Sequence, residues 1–397
     1  MQSFSGLFCR KCAESVRMLH MTKLRSQVPN QYIQNVHKST RSSMSAWQIH
    51  QYGGNEEFTL SRTAKVPTIR SPDELLVEVH AASVNPIDVL MRGGYGEVML
   101  NSMRKLLGNP KSGSEFPLTL GRDFSGVVLE TGKRVTDFKP GDQVWGALGA
   151  HRQGTHAELL VASQKEISKK PKTLDHVEAA SIPYVAVTSW TALCEVGELK
   201  ESNTAGKRIL VHAGSGGIGT FSIQLLSAWG ADVTTTCSTD AVEFVTSLGA
   251  NTVIDYKTQD VQEELQKLDK FDLVLDTLGG DTPNFSFDLL TKYRNAKYVS
   301  IVTPLLRNAD SYGLVKGSVK TAVDLLKDVA GGIKDLRSYR WAVFVPNGRA
   351  LKKVAEMVDN SDIKPVVEKV FQFEEVPNAF DKLADGHSRG KTVIKVI

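Results

Sequence analysis

The sequence has few cysteines and no long apolar run, and each shortage excludes a class of protein. No 18 consecutive residues are apolar, so no segment is predicted to cross a bilayer as a helix. Of the 4 cysteines, Cys9 and Cys12 form a lone C-x-x-C without the second ligand pair of a zinc site. The others, Cys194 and Cys237, are too few for a disulfide framework and indicate plain thiols in a reducing compartment.

Acidic residues are almost missing from residues 1–43, where Glu14 is the single acid. The same stretch is rich in serine and holds seven basic residues: Arg10, Lys11, Arg17, Lys23, Arg25, Lys38 and Arg41. This composition is typical of a mitochondrial transit peptide, because an inside-negative potential draws a basic segment inward. We therefore expect a mitochondrial protein, with the matrix as its compartment, and we exclude residues 1–43 from the fold. A basic tail that carries no address is the alternative.

Two patterns of secondary structure follow one another along the rest of the chain. Short apolar runs separated by Gly and Pro predict the strands of a partly open β-barrel: Ala46–His50, Leu75–Ala82, Phe124–Glu130, Gln143–Trp145 and Leu159–Ala162. Asp175 and Glu178 then have the spacing of a helix-capping box. From there strands and helices alternate, which predicts a doubly wound parallel sheet, and the C-terminal segment returns to strands and turns. The order favours a barrel domain interrupted by an α/β domain over two consecutive domains.

A glycine-rich turn stands where the first strand of the α/β domain ends. The apolar run Ile209–Val211 leads into G-x-G-x-x-G, formed by Gly214, Gly216 and Gly219, and an apolar helix follows. In dinucleotide-binding domains these glycines allow the tight turn, the close approach of the pyrophosphate and the close packing of helix on strand. The pyrophosphate then lies at the positive N-terminus of the helix. A glycine-rich turn without a ligand is the alternative.

The end of the second strand bears on the choice between NADH and NADPH. Enzymes that prefer NADH usually place a carboxylate there, about 20 residues after the glycine motif, to hold the ribose 2′-hydroxyl. Here the strand Val233–Cys237 is followed by Ser238 and Thr239, and Asp240 comes only after these hydroxyls. No arginine lies beside them in the sequence, so a 2′-phosphate would need Lys257 or a more distant cation. The pattern favours NADPH.

With these features in place, the sequence from about residue 45 onward resembles the medium-chain dehydrogenase/reductase superfamily, in its zinc-free quinone oxidoreductase (zeta-crystallin-like) branch. Six motifs carry the resemblance: Ala82–Asp88, Leu120–Val128, Lys139–Val144, Ala213–Gly219, Gly249–Tyr256 and Gly386–Lys391. The resemblance implies a GroES-like domain over residues 44–180 and 345–397, a Rossmann NADPH-binding domain over residues 181–344, and an active site in the cleft between them.

The resemblance also implies which residues bind the cofactor. Ser215, Gly217 and Ile218 match the phosphate loop, and Ser238 matches the position near the 2′-phosphate. Tyr256 matches the position where relatives pack the adenosine. The remaining implied contacts are Ile301 and Phe344 near the nicotinamide, and His387 and Arg389 in a segment that closes over the cofactor. An exposed basic turn is the alternative for the last two.

The resemblance further implies the chemistry. Zinc-dependent members of the superfamily have Cys and Gly-His-Glu ligands at the positions that resemble Asn85 and Gly121–Asp123, and this sequence lacks them. We expect no metal. Without a Lewis acid to polarise an alcohol, the prediction is hydride transfer to a quinone or another conjugated carbonyl, which spreads the arriving charge. Asn85 and Tyr95 are the candidates for hydrogen bonds to the acceptor oxygen, although Leu90 stands where relatives often have a second tyrosine. Purely structural roles are the alternatives.

Apolar residues recur at helical spacing between Leu314 and Val329, with lysines between them. Three alternatives remain open for this helix: packing on the cleft, contact with a second subunit, and a basic amphipathic surface that touches a membrane and admits a long-tailed quinone. Dimers are common in the superfamily, so a homodimer is expected. Outside residues 1–43 acidic residues slightly outnumber basic ones, and nothing indicates a nucleic-acid partner.

Three functions therefore stay in competition. The first is an NADPH-dependent reductase of quinones, with ubiquinone-like rings as the plausible mitochondrial acceptor. The second is an enoyl-thioester reductase, which would need a general acid such as Tyr95 and a basic patch for the carrier phosphate. The third is a protein that binds NADPH as a sensor or scaffold and acts through protein partners.

Overall fold

The computed structural model describes residues 42–107, 115–386 and 388–397. The predicted transit peptide, apart from its last two residues, lies outside the described residues, as does His387. The strands are β1 Ser43–Gln48, β2 Thr59–Lys65, β3 Glu74–Val84, β4 Asp123–Thr131, β5 Gln143–Ala147, β6 Leu159–Ser163, β7 Ile167–Lys169, β8 Arg208–Val211, β9 Asp232–Cys237, β10 Thr252–Asp255, β11 Leu273–Asp276, β12 Lys297–Ser300, β13 Ser338–Trp341, β14 Val367–Gln372 and β15 Lys391–Lys395. The α-helices are α1 Pro86–Arg92, α2 Glu97–Leu107, α3 His176–Ala180, α4 Pro183–Trp190, α5 Glu201–Thr204, α6 Gly217–Ala228, α7 Val242–Ser247, α8 Val261–Lys267, α9 Thr282–Ser286, α10 Leu305–Ala330, α11 Gly348–Asp359 and α12 Val376–Ala384.

The predicted fold class, a GroES-like barrel interrupted by a Rossmann domain, is confirmed. The first seven strands contribute an antiparallel pair, β1–β2, and most of a mixed sheet in the order β14-β15-β3-β4-β5-β7, with β6 also on β3. Six parallel strands, in the order β10-β9-β8-β11-β12-β13, form the second sheet. The chain leaves the first sheet after β7 and re-enters it at β14, which is the interruption that the sequence pattern predicts.

Local sequence accounts for α3, the helix that follows β7. The Asp175 carboxylate accepts from the Glu178 amide at 2.8 Å, and the Glu178 carboxylate accepts from the Asp175 amide at 3.1 Å. This reciprocal capping satisfies two amides that would otherwise lack a partner at the start of α3. The central strands β11 and β12 of the parallel sheet are buried along their whole length, as expected for a parallel sheet covered on both faces.

Helix α10, for which the sequence left three roles open, exposes most of its apolar side chains. Gly313, with φ 76° and ψ 171°, divides the helix, and the two parts pack against each other. A Cβ at Gly317 would lie 2.4 Å from the Asn308 carbonyl oxygen, and the Asn308 amide donates to the Thr321 hydroxyl at 3.0 Å. The helix thus buries small and polar residues. Five apolar side chains, 40–79% exposed, form the α10 stripe: Leu314, Val315, Val319, Val323 and Leu326.

Candidate active site

The phosphate loop joins β8 to α6, and its glycines have different surroundings. A Cβ at Gly214 would lie 2.2 Å from the Thr235 hydroxyl, and a Cβ at Gly219 would lie 2.3 Å from the Ala213 carbonyl oxygen. These two glycines therefore permit the close packing of loop, strand and helix. Around Gly216 a Cβ would meet nothing closer than 3.5 Å, so space for a ligand remains on that side of the loop.

The N-terminus of α6 can receive an anion. Gly216 occupies the N-cap position and has no side chain to cap the helix, so it offers no acceptor to the first-turn amides, among them those of Gly217, Ile218 and Gly219. Free amides and the positive end of a 12-residue helix suit a pyrophosphate.

The C-terminal segment lies directly on the phosphate loop. The Gly390 amide donates to the Ser215 carbonyl oxygen at 3.0 Å, and Gly216 and Gly390 form an isolated parallel bridge. The adjacent Lys391 side chain passes 3.0 Å from the position of a Cβ on Gly217. The loop after β8 and the segment before β15, which are distant in sequence, thus meet at the cofactor motif.

A cation lies beside the end of the second strand. The Ser238 hydroxyl donates to the Asp240 carboxylate at 2.5 Å, and the Arg389 guanidinium donates to the same carboxylate. Tyr256 follows β10, is partly exposed, and is fixed by its amide on the Cys237 carbonyl oxygen at 3.0 Å. Lys257 is the cation that the sequence suggested for a 2′-phosphate, and its ammonium lies 5.4 Å from the centre of the Tyr256 ring. Arg389 brings a second cation close to Ser238.

Asn85 belongs to a buried polar cluster at the neighbouring strands β15, β3 and β4 of the mixed sheet. Its side-chain oxygen accepts from the Lys391 ammonium at 2.5 Å, and its amide donates to the Asp123 carboxylate at 2.8 Å. Lys391 also donates to Asp123 at 3.2 Å, and the Ser83 hydroxyl donates to Asp123 at 2.5 Å. Asn85 is only 1% exposed. One of its two side-chain amide hydrogens is donated to Asp123, so one hydrogen remains for a substrate.

The segment that resembles the zinc-ligand site is occupied by an ion pair. Arg122 is buried and lies 3.4 Å from Asp88, which also accepts from the amides of Gly121 and Asn85. In the described part of the chain no group of three or more His, Cys, Asp or Glu side chains could hold a metal ion. The expectation of a zinc-free site remains a prediction. Nor is any described helix long and apolar enough to cross a membrane.

Two aromatic rings, those of Tyr184 and Phe344, stack beside the polar cluster. Phe344 follows β13 and stacks on Tyr184, with ring centres 4.4 Å apart and planes 24° apart. Ile301 follows β12 and donates its amide to the Asp276 carbonyl oxygen at 3.1 Å. Tyr95 is half-buried in the loop before α2, and this burial raises the pKa of its phenol above the ordinary value. The phenol therefore stays protonated at neutral pH.

Sequence reasoning missed three residues of this region. Asp123 and Lys391 occur in quoted motifs, but a lone acid and a lone lysine in different segments gave no sign that they would meet. Tyr184 lies in an apolar run, where an aromatic residue normally indicates core. The proline before it, at the first position of α4, was the one available signal that a helix begins there.

Comparisons with known proteins agree with this architecture. Residues 71–172 match the family model described as alcohol dehydrogenase GroES-like domain, and residues 248–394 match the one described as zinc-binding dehydrogenase. A Homo sapiens relative named NAD(P)H oxidoreductase RTN4IP1, mitochondrial, is 50% identical over 364 residues, covering 90% of this chain and 91% of its own. A Caenorhabditis elegans relative is named reticulon-4-interacting protein 1, mitochondrial. The names of these relatives confirm the predicted mitochondrial location.

Two further relatives bear on the substrate. A quinone oxidoreductase from Coxiella burnetii has a TM-score of 0.72 and 30% identity, covering 89% of this chain and 99% of its own. An Aspergillus terreus protein named trans-enoyl reductase pgmF is 33% identical over 372 residues, covering 89% of this chain and 97% of its own. The chain is thus similar both to a protein named a quinone oxidoreductase and to one named a trans-enoyl reductase.

Proposed function

Because the chain belongs to the medium-chain dehydrogenase/reductase family and is an NAD(P)H-dependent oxidoreductase, we propose that it transfers hydride from NADPH to a quinone or another conjugated carbonyl, without zinc. Ubiquinone-like rings in the mitochondrial matrix are the acceptors that we favour. The observation that carries the proposal is the buried cluster of Asn85, Asp123 and Lys391, which ties the candidate acceptor site to the phosphate loop.

The donor set argues against a metal at this position. The Lys391 ammonium and the Arg122 guanidinium neutralise the two buried carboxylates, Asp123 and Asp88. A divalent cation would have to displace these charges from a buried site, which is costly. Reduction of a conjugated carbonyl needs no such ion, since conjugation spreads the negative charge that arrives with the hydride.

NADPH is supported by the surroundings of Ser238. Arg389 supplies a guanidinium at the end of β9, and planar guanidinium groups bind phosphate strongly. Ser238 supplies a hydroxyl, and Tyr256 a partly exposed ring beside it. The phosphate loop residues Gly214–Gly219 would hold the pyrophosphate, with Ile301 and Phe344 toward the nicotinamide. His387 is retained as a proposed contact on the resemblance alone.

The chain's own residues would position the acceptor rather than perform covalent chemistry. The bound nicotinamide supplies the hydride. Asn85, held by Lys391 and Asp123, would direct its free amide hydrogen at the acceptor oxygen, and the neutral Tyr95 phenol would donate a second hydrogen bond. One proton from solvent completes the two-electron reduction of a quinone to a hydroquinone.

An enoyl-thioester reductase is the second candidate, favoured by the similarity to the Aspergillus terreus enoyl reductase. Tyr95 would then protonate the carbon next to the thioester. The two proposals share the cofactor site and differ in the acceptor. A protein that binds NADPH only as a sensor would show no turnover with either.

A homodimer is the assembly that we propose, and the α10 stripe supports it. The stripe is exposed along several turns, and β13, which follows α10, is an edge strand of the parallel sheet. An exposed apolar patch beside an open edge is a common protein interface. Peripheral membrane contact through the same stripe, with Lys316 and Lys327 beside it, is the competing proposal.

The decisive experiment is NADPH oxidation by the protein with a panel of short-chain quinones, enones and an enoyl thioester. Rapid oxidation with quinones, weakened by Asn85→Ala, is the expected result. Preference for the thioester would replace the first proposal with the second. Tight NADPH binding without turnover on any acceptor would overturn both.

A further inference from the structure

We propose that the Tyr184 hydroxyl is a third hydrogen-bond donor to the acceptor oxygen, in addition to Asn85 and Tyr95. The inference rests on the proposed function and deepens it. Tyr184 would supply this phenol from the first turn of α4, a different element of the fold from the loop that carries Tyr95.

The main chain of Tyr184 is fixed by the same carboxylate that holds Asn85. Its amide donates to one oxygen of Asp123, while Asn85 and Lys391 donate to the other oxygen. Since Asp123 is fully buried, these contacts hold the first turn of α4 against the polar cluster. Tyr184 is therefore attached to the group of residues that we propose to position the acceptor.

The residue after Tyr184 touches the phosphate loop. A Cβ at Gly217 would lie 3.1 Å from a methyl carbon of Val185. The Tyr184 ring itself stacks on Phe344, the residue proposed to approach the nicotinamide. The phosphate loop, the Asn85 cluster and the nicotinamide side of the site thus meet around one tyrosine.

Tyr184 is half-buried. Among the described residues its hydrogen bonds are made by its main chain, to the Asp123 carboxylate and from the Thr188 hydroxyl, which leaves the phenol hydroxyl for a ligand. Burial, with the nearby carboxylates Asp88 and Asp123, raises the pKa of this phenol above its ordinary value. Tyr95 is close enough to contribute to the same electrostatic environment. Both phenols therefore keep their protons at neutral pH and can act as hydrogen-bond donors.

These donors match what quinone reduction requires. The hydride brings two electrons and one proton to the quinone and leaves negative charge on an oxygen. A phenol O–H that points at this oxygen stabilises the charge as it develops. When its proton passes to the oxygen, the O–H bond of the hydroquinone forms, and solvent returns a proton to the tyrosine.

The test compares Tyr184→Phe, Tyr95→Phe and the double variant with the wild-type chain. Each change removes only an oxygen atom, and Tyr293→Phe, at an exposed loop, is the matched control. We expect Tyr184→Phe to lower kcat for quinones roughly 10- to 100-fold, as for loss of a hydrogen bond to a charged oxygen, and to leave the KM for NADPH and the melting temperature unchanged. The solvent isotope effect on kcat should rise.

The outcomes distinguish a failure of the role proposed for Tyr184 from a failure of the proposed function. If the wild-type chain reduces quinones and Tyr184→Phe does so at the same rate, the role of Tyr184 is refuted and the proposed function stands. If Tyr184→Phe weakens NADPH binding or lowers the melting temperature in proportion to its loss of activity, the residue is structural. No turnover by the wild-type chain overturns the proposed function and this inference together.

Discussion

The Arg389 guanidinium is paired with the Asp240 carboxylate, although 149 positions separate the two residues in the sequence. The pair joins the segment before β15 to the loop after β9, directly beside Ser238. Asp240 is the acid that made cofactor preference ambiguous at the level of sequence. The Arg389 guanidinium neutralises the charge of Asp240, and the same guanidinium could bind a 2′-phosphate.

Removal of Arg389 should therefore affect one cofactor more than the other. We expect Arg389→Ala to raise the KM for NADPH roughly tenfold, since charge-assisted hydrogen bonds contribute about 1.5–3 kcal/mol, and to leave the KM for NADH unchanged. Steady-state kinetics with both cofactors measures this. Arg294→Ala, an exposed arginine before β12, is the control. An equal effect of Arg389→Ala on both cofactors would mean that Arg389 only holds the C-terminal segment over the cofactor and does not bind the 2′-phosphate.

Asp240→Asn tests the other half of the pair. It removes a negative charge near the proposed 2′-phosphate and releases the guanidinium, so we expect the KM for NADPH to fall a few-fold. A rise in the KM for NADPH would mean that the pair itself, through its closure of the C-terminal segment, is what the cofactor needs.

The glycines of the phosphate loop should separate binding from stability. Gly219→Ala places a Cβ 2.3 Å from a backbone oxygen, and overpacking of this kind typically costs about 1–3 kcal/mol. Gly216→Ala has room for its Cβ within the protein, so unfolding in urea should be unchanged while the Kd for NADPH rises about tenfold or more. Equal stability losses in both variants would contradict the distinction.

Much of the fold was predictable from sequence because its signals are local. The box at Asp175 and Glu178, the strand Val233–Cys237 and the glycine motif each depend on residues within a few positions of one another. The cluster of Asn85, Asp123 and Lys391 was not predictable in the same way, since its members come from three segments and only the folded sheets bring them together. The stripe of α10 shows a different limit. Periodicity identified the helix, but the Gly313 turn decides which side the protein covers.

Lys391 should be essential to stability as well as to the site. Lys391→Met leaves the Asp123 carboxylate buried without its cation, and breaking a buried pair in this way costs about 3–5 kcal/mol. The double variant Asp123→Asn with Lys391→Met also removes the unpaired carboxylate charge, so it should recover part of the lost free energy of unfolding. Urea unfolding of the two single variants and the double variant gives the coupling. A cost below about 1 kcal/mol for Lys391→Met would mean that water reaches the cluster.

Acid should destabilise the protein through His156. Burial lowers the pKa of its imidazole from 6.5 to about 3. The neutral ring is therefore the native form: its contribution to stability is complete above pH 6.5 and is lost as the pH falls toward 3. His156→Gln, a polar residue that takes up no proton, should flatten the decline of the melting temperature over this range. An unchanged pH profile would assign the acid sensitivity to the other buried histidines, such as His212.

The α10 stripe allows its two proposed occupants to be distinguished by charge. A second copy of the chain would bury Val319 in an apolar contact, so Val319→Glu should convert a dimer to a monomer in sedimentation velocity, whereas Ser318→Glu, the exposed neighbour, should not. A membrane would instead depend on the lysines, and reversal of Lys316, Lys320 and Lys327 to Glu should abolish co-sedimentation with anionic vesicles. We expect the first result, because acids on the same helix, Asp324 among them, already balance part of its positive charge. A chain that is monomeric before any substitution and binds vesicles would favour the membrane.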